Sequence, residues 1–153
     1  MNPKAYLGID PGQGGAVALI SRDQTLVVDW PALVDWSGVR DLLCQWKMEY
    51  NIRLAALERV AARPGQGVRS VFSFGKNAGG WEAALSMARI PWISPTPQAW
   101  QKGVVLPSDG PDPKTRALTV ARRLFPEADL SLKRHDGRAD ALLLAAHARS
   151  LEK

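Results

Sequence analysis

Four carboxylates stand where their types and spacing could do chemistry: Asp10, Glu58, Asp136 and Asp140. Asp10 closes the apolar run Ala5-Tyr6-Leu7-Gly8-Ile9 and is followed by Pro11-Gly12. Glu58 closes a second run, Arg53-Leu54-Ala55-Ala56-Leu57. An apolar run without polar alternation reads as a strand buried on both faces, so each acid sits where the backbone leaves a sheet. Asp before Pro-Gly is also a common turn residue, held by local hydrogen bonds. Asp136 and Asp140 are one helical turn apart and share a helix face. Asp136 suits a helix start, where the macrodipole favours a negative charge. Asp140 lies among Ala139, Ala141, Leu142 and Leu143, where an acid needs a partner or a metal. Four converging carboxylates repel one another unless a cation neutralises them. A donor set made only of oxygen favours Mg²⁺ or Mn²⁺. Two such ions about 4 Å apart activate water and stabilise the leaving oxygen at a phosphodiester.

Other chemistries find little support. There is one cysteine, and the two histidines have no partner at metal-ligand spacing. No Ser-His-Asp pattern and no Gly-rich loop ending in Lys-Ser/Thr is present. An actin-like or sugar-kinase ATPase shares the Asp-Pro-Gly type of first hairpin but needs a second phosphate loop and a much longer chain.

The elements that must position these acids follow from the apolar pattern. A chain of 153 residues, 46% apolar, suits one compact α/β domain spanning 1–153. A short Gly-rich link joins the first run to Gly15–Ile20, and a polar turn leads to Thr25–Trp30, so three strands form an antiparallel meander. Ser37 is the expected cap of a helix carrying Val39, Leu42, Leu43, Trp46 and Tyr50. The strand that ends at Glu58 returns to the sheet parallel to the first, which brings Asp10 and Glu58 to one edge. Residues 59–67 read as a basic mobile link. Residues 68–89 read as a helix interrupted at Gly75 and Gly79-Gly80, and Ile90–Ser94 as a short strand. Helices are expected from Thr96-Pro97, from Asp112-Pro113 to Pro126, and from near Asp136 to about Ser150. Between them, Gly103–Asp112 reads as a flexible loop. Cys44 is expected as a small core residue of a reducing, cytoplasmic compartment. No run is long enough to cross a bilayer, and the N-terminus does not read as a signal peptide.

The order βββαβαβ followed by helices resembles the ribonuclease H-like layout, a five-stranded mixed sheet with helices on both faces. Gly8-Ile9-Asp10-Pro11-Gly12, Leu57-Glu58-Arg59-Val60 and His135-Asp136-Gly137-Arg138-Ala139-Asp140-Ala141-Leu142 resemble the three acidic blocks of RuvC-type Holliday junction resolvases, most closely the compact phage and prophage members. The resemblance spans nearly the whole chain. It implies a Mg²⁺-dependent endonuclease, with two ions per site, that acts as a homodimer and cuts branched DNA symmetrically. Asp10, Glu58 and Asp140 match the family's acids. The family commonly has Asp or His three residues before the last acid, and here that position is Gly137. Asp136, on the same face as Asp140, is the first choice for the fourth site residue. His135 is its rival, as ligand or proton shuttle.

Charge points to the same class of partner. The formal charge is +5. Residues 1–58 hold five Lys/Arg against seven Asp/Glu, and the remainder hold fifteen against eight. A basic later half suits a polyanion. Arg59, Arg63, Arg69, Lys76, Lys102, Lys114 and Arg116 are the candidate phosphate contacts. Phe72 and Phe74 beside Lys76 are candidates to stack on unpaired bases, with one expected buried and the other exposed. Trp30, Trp46 and Trp92 are expected in the core, and Trp81 at a dimer interface. The rival readings are a related nuclease for flaps, forks or RNA–DNA hybrids, and a DNA-binding module without catalysis.

Overall fold

The structure is a computed structural model, and it describes residues 1–33 and 35–152. Five strands form one mixed sheet in the order β3-β2-β1-β4-β5. They are β1 (Lys4–Ile9), β2 (Ala16–Ser21), β3 (Thr25–Asp29), β4 (Asn51–Leu57) and β5 (Trp92–Ile93). The first three form the expected antiparallel meander, and β4 lies parallel to β1 with Leu57 opposite Ile9. Asp10 and Glu58 therefore leave the sheet side by side. Trp30 does not extend β3. It opens a 3-10 turn, Trp30–Leu33.

Helices cover both faces. On one side pack α1 (Trp36–Glu49) and α2 (Val68–Met87), over Ala5, Leu7, Ile9, Val17 and Leu19. On the other lie α3 (Pro97–Gln101), α4 (Pro113–Leu124) and α5 (Asp136–Ser150), over Tyr6, Ala16, Ala18 and Ile20. Alternate residues of β1 and β2 thus feed opposite layers, which is why both strands read as unbroken apolar runs. Asp112 and Thr96 cap their helices as expected, accepting from Thr115 N at 3.0 Å and Ala99 N at 3.2 Å.

Several expectations change. The cap of α1 is Asp35, which accepts from Gly38 N at 3.1 Å, and Ser37 lies inside the first turn. Cys44 is exposed on α1 between the inward residues Leu43 and Trp46. Helix α2 runs through Gly75 and Gly79-Gly80 without a break. The Trp36 ring lies where a Gly80 side chain would stand, so small size at that position serves packing. Trp81 belongs to the core and not to an interface. It is 1% exposed and meets Trp30 and Trp36 at ring-centroid distances of 5.8 Å each. The segment 103–112 is pinned: Arg116 Nε donates to Gly110 O at 2.7 Å, and Arg123 pairs with Asp109 at 3.4 Å.

Helix α5 carries the last acidic block and is seated by two close approaches. A Cβ added to Gly8 of β1 would stand 1.9 Å from Ala141 O and 2.3 Å from Ala145 N. A Cβ on Gly137 would stand 2.0 Å from Gly14 O in the β1–β2 turn. Both neighbours are backbone, so neither can rotate away. Arg138 adds a lateral tie, donating to Asp29 at 2.7 and 2.8 Å through Nε and one terminal nitrogen. Gly8→Ala is expected to cost about 3 kcal/mol or more by overpacking, a fall of about 10 °C in Tm. Gly75→Ala, at a helical position with open space around it, is expected to raise Tm slightly because alanine restricts the unfolded chain. Calorimetric melts of the two variants check the opposite signs.

Candidate active site

The sheet edge where β1 and β4 end opens into a cavity of about 900 Å³. Asp10, Glu58, Asp136 and Asp140 all line it. They arrive on separate elements: Asp10 after β1, Glu58 after β4, and the other two from the first turns of α5. Asp10 is held by its own turn, its Oδ1 accepting from Gly12 N at 3.0 Å. The turn role and a chemical role therefore coexist in one side chain. Glu58 continues the parallel ladder, its N–H donating to Ile9 O at 3.0 Å. Its Oε2 accepts from the Trp100 indole N–H at 2.9 Å. Asp136 Oδ2 pairs with Lys114 Nζ at 3.1 Å.

The electrostatics are those of crowded acids in a poorly hydrated recess. Burial pushes the Asp140 carboxyl well above the usual carboxylate range, and the charges of Asp10, Glu58 and Asp136 push it further. Burial raises Glu58, with Asp10 adding to it and the Trp100 bond opposing. Burial also raises Asp10, against the Gly12 bond, with Asp136 adding to the rise. Lys114 is drawn the other way: its bond to Asp136 strengthens its hold on a proton, and Asp140 and Asp10 add to that. Each effect has one sense, since a positive charge in the cavity relieves it.

These donors suit a hard divalent cation by type, being oxygen only. They share a cavity without closing on one point: among the described residues, no three Asp, Glu, His or Cys side chains form a cluster that could hold an ion as placed. Mutual repulsion among ionised carboxylates opposes such a closure.

His135 takes no part in this grouping. It is 5% exposed and does not line the cavity; its Nδ1 accepts from Leu132 N at 3.2 Å and faces Asp129 Oδ1 at 3.9 Å. It caps the short 3-10 turn before α5 instead. Gly137 has no room for a side chain, so Asp136 is the residue of that first turn that reaches the acids.

The basic candidates divide. Arg59, Arg63 and Lys114 line the cavity. Arg69 and Lys76 are exposed on α2, and Lys102 follows α3; none of the three lines it. Arg116 is spent on the carbonyls of Gly110 and Pro111. Residues 63–66 form a turn closed by Gln66 Oε1, which accepts from Arg63 N at 2.7 Å. Neither phenylalanine is buried. Phe72 is 71% exposed, and Phe74, 36% exposed, leans over Gly12 at the cavity mouth.

Two residues of the site escape the sequence reading. Arg134 lines the cavity beside Asp136. Its signal was the basic run Lys133-Arg134 directly before the acidic block. Trp100 touches Glu58 from 42 positions away, which no local pattern announces.

No protein-family model matches the chain, and no curated protein matches its sequence. Solved structures do. The chain superposes on Thermus thermophilus RuvC in complex with a Holliday junction substrate with a TM-score of 0.64 at 16% identity, covering 94% of this chain and 91% of that one. A second Thermus thermophilus RuvC structure gives 0.60 at 18%, covering 94% and 92%. Sheet order and these superpositions together show that the chain shares the fold of the RuvC structures, a five-stranded mixed sheet flanked by helices.

Proposed function

We propose that the chain is a metal-dependent, structure-selective endonuclease that resolves four-way DNA junctions by paired nicking, working as a homodimer of single nuclease domains in the cytoplasm. One observation carries the reading: acids from three separate elements converge on one cavity with a basic rim, at the strand ends where such sheets place ligands. Asp10, Glu58, Asp136 and Asp140 are the groups that would hold Mg²⁺ or Mn²⁺, two ions per site. When bound, such ions polarise the phosphodiester and make a water nucleophilic at neutral pH. The likeness to RuvC bound to a Holliday junction supports the choice of substrate.

The chain's own residues have distinct tasks in this reading. Asp10 and Glu58, anchored by sheet backbone, supply rigid oxygen donors. Asp140 brings a third from α5. Lys114, Arg134, Arg59 and Arg63 ring the cavity and would neutralise phosphates near the cut. Phe72 and Phe74 offer aromatic faces to bases splayed at a branch point. Val68, Phe72, Gly79, Ala83 and Met87 form an exposed stripe along α2, and Val68, Phe72 and Met87 are 86%, 71% and 85% exposed. An apolar helix face of this kind supports pairing with a second copy.

The direct test is cleavage of a labelled synthetic four-way junction beside linear duplex, flap and RNA–DNA hybrid, with Mg²⁺, Mn²⁺ or EDTA. Symmetric paired nicks on the junction, lost in EDTA, are expected; equal or better cutting of flaps or hybrids would overturn the substrate assignment. Asp140→Asn is expected to lower cleavage at least ~10³-fold, several kcal/mol of transition-state stabilisation, while junction binding persists.

The same variant has an expected stability signature. The folded state raises the Asp140 pKa, so the stability from its retained proton is present below the ordinary carboxylate pKa and lost as pH rises through the folded value. At neutral pH without metal, burial of this acid therefore opposes folding. Asp140→Asn should raise the metal-free Tm, by about 3 °C for each ~1 kcal/mol relieved, and should blunt the rise that Mg²⁺ produces in the unsubstituted protein. Melts with and without Mg²⁺ check both.

Lys114→Ala should weaken junction binding about 3- to 10-fold and reduce the salt dependence of binding by about one phosphate contact. Titrations at several salt concentrations read both quantities. An unchanged salt slope would remove Lys114 from the phosphate contacts.

A further inference from the structure

We propose that Trp100 is a positioning residue for Glu58, fixing one oxygen of the carboxylate from behind and leaving the other to the cavity. The inference rests on the reading of Glu58 as part of a metal-dependent site.

Trp100 lies on α3 and is 1% exposed, packed in the same core layer as Tyr6, Ala56 and Leu142. Its indole N–H donates to Glu58 Oε2 at 2.9 Å. No partner for Oε1 exists among the described residues. An indole nitrogen only donates; it accepts no proton and ligates no cation. Whatever Trp100 does for the chemistry it does through Glu58.

The geometry that aims the indole is held independently of the bond. Arg59, next to Glu58, donates its backbone N–H to Pro95 O at 2.9 Å. Thr96 then caps α3, and Pro97 opens it. The backbone behind the donor is thus tied to the backbone behind the acceptor, and the ring cannot turn within its packed layer. A comparison within the molecule sharpens the point. Trp81 is as deeply buried as Trp100, yet among the described residues its indole nitrogen has no partner. Filling space does not by itself place an indole N–H on a carboxylate.

Trp100→Phe keeps a ring and removes the N–H. The test measures Mn²⁺ affinity by electron paramagnetic resonance for the unsubstituted protein, Trp100→Phe, Glu58→Gln and the double variant. Trp100→Phe should weaken Mn²⁺ binding about tenfold, the size expected for one hydrogen bond to a charged group. In the Glu58→Gln background it should add nothing. A second readout needs no Trp100 variant to fold: the Trp100 indole ¹H–¹⁵N resonance, assigned through the backbone, should move in Glu58→Gln and on adding Mg²⁺.

If Glu58→Gln weakens Mn²⁺ binding while Trp100→Phe does not, positioning is refuted and the metal-site reading stands. If Glu58→Gln leaves Mn²⁺ binding unchanged, both fail. An indole resonance indifferent to Glu58→Gln overturns the proposal by itself.

Discussion

Helix α5 lies against β1 with nothing between them at Gly8, and the rest of the site depends on that contact. Backbone meets backbone there, so the distance between helix and sheet is set by covalent geometry and not by side-chain choice. Asp10 is two residues along the strand from Gly8, and Asp140 one residue before Ala141 on the helix. Two acids on different elements are thereby held against one cavity. The Arg138–Asp29 fork then fixes the helix laterally, and the tight passage at Gly137 fixes its start against the β1–β2 turn.

Such rigidity has an electrostatic consequence. Carboxylates on flexible loops would move apart and hydrate. Here burial and neighbouring charge both press Asp140, Glu58 and Asp10 toward protonation. The fold keeps them together because the apolar layers on both faces of the sheet bury enough surface to outweigh a few unfavourable charges. Among the described residues only Asp136 of the four acids has a charged protein partner at bonding distance, the solvent-exposed Lys114. The cavity is therefore graded, neutralised at its rim and frustrated at its floor.

Much of this was legible in the sequence because the signals were local. Apolar runs ending in Asp10 and Glu58 marked central strands and the edge that matters. Thr96-Pro97 and Asp112-Pro113 marked helix starts through cap chemistry. The parts that were not legible depend on partners distant in the chain. Gly75 and Gly79-Gly80 lower helix propensity, but packing of Trp81 and Leu85 carries α2 through them. The loop 103–112 has the composition of a mobile segment and is held by two arginines of α4. His135 stands beside the last acidic block as a rival ligand, and the turn before α5 folds it inward, away from the acids. Phe72 and Phe74 ride on the expected helix and, two positions apart, lie on different sides of it, but neither side is covered there.

Gly137 bears on how a site like this can change over time. Replacing this glycine by any other residue is a step that adds a Cβ at position 137. In this chain that step drives a side chain into Gly14 O. The β1–β2 turn would have to yield first, and that turn also holds Asp10 through Gly12. Asp136 and the glycine after it are thus coupled: moving the acid by one register requires remodelling a loop that also holds Asp10. A chain starting from this arrangement faces a barrier in sequence space between an acid at position 136 and one at position 137.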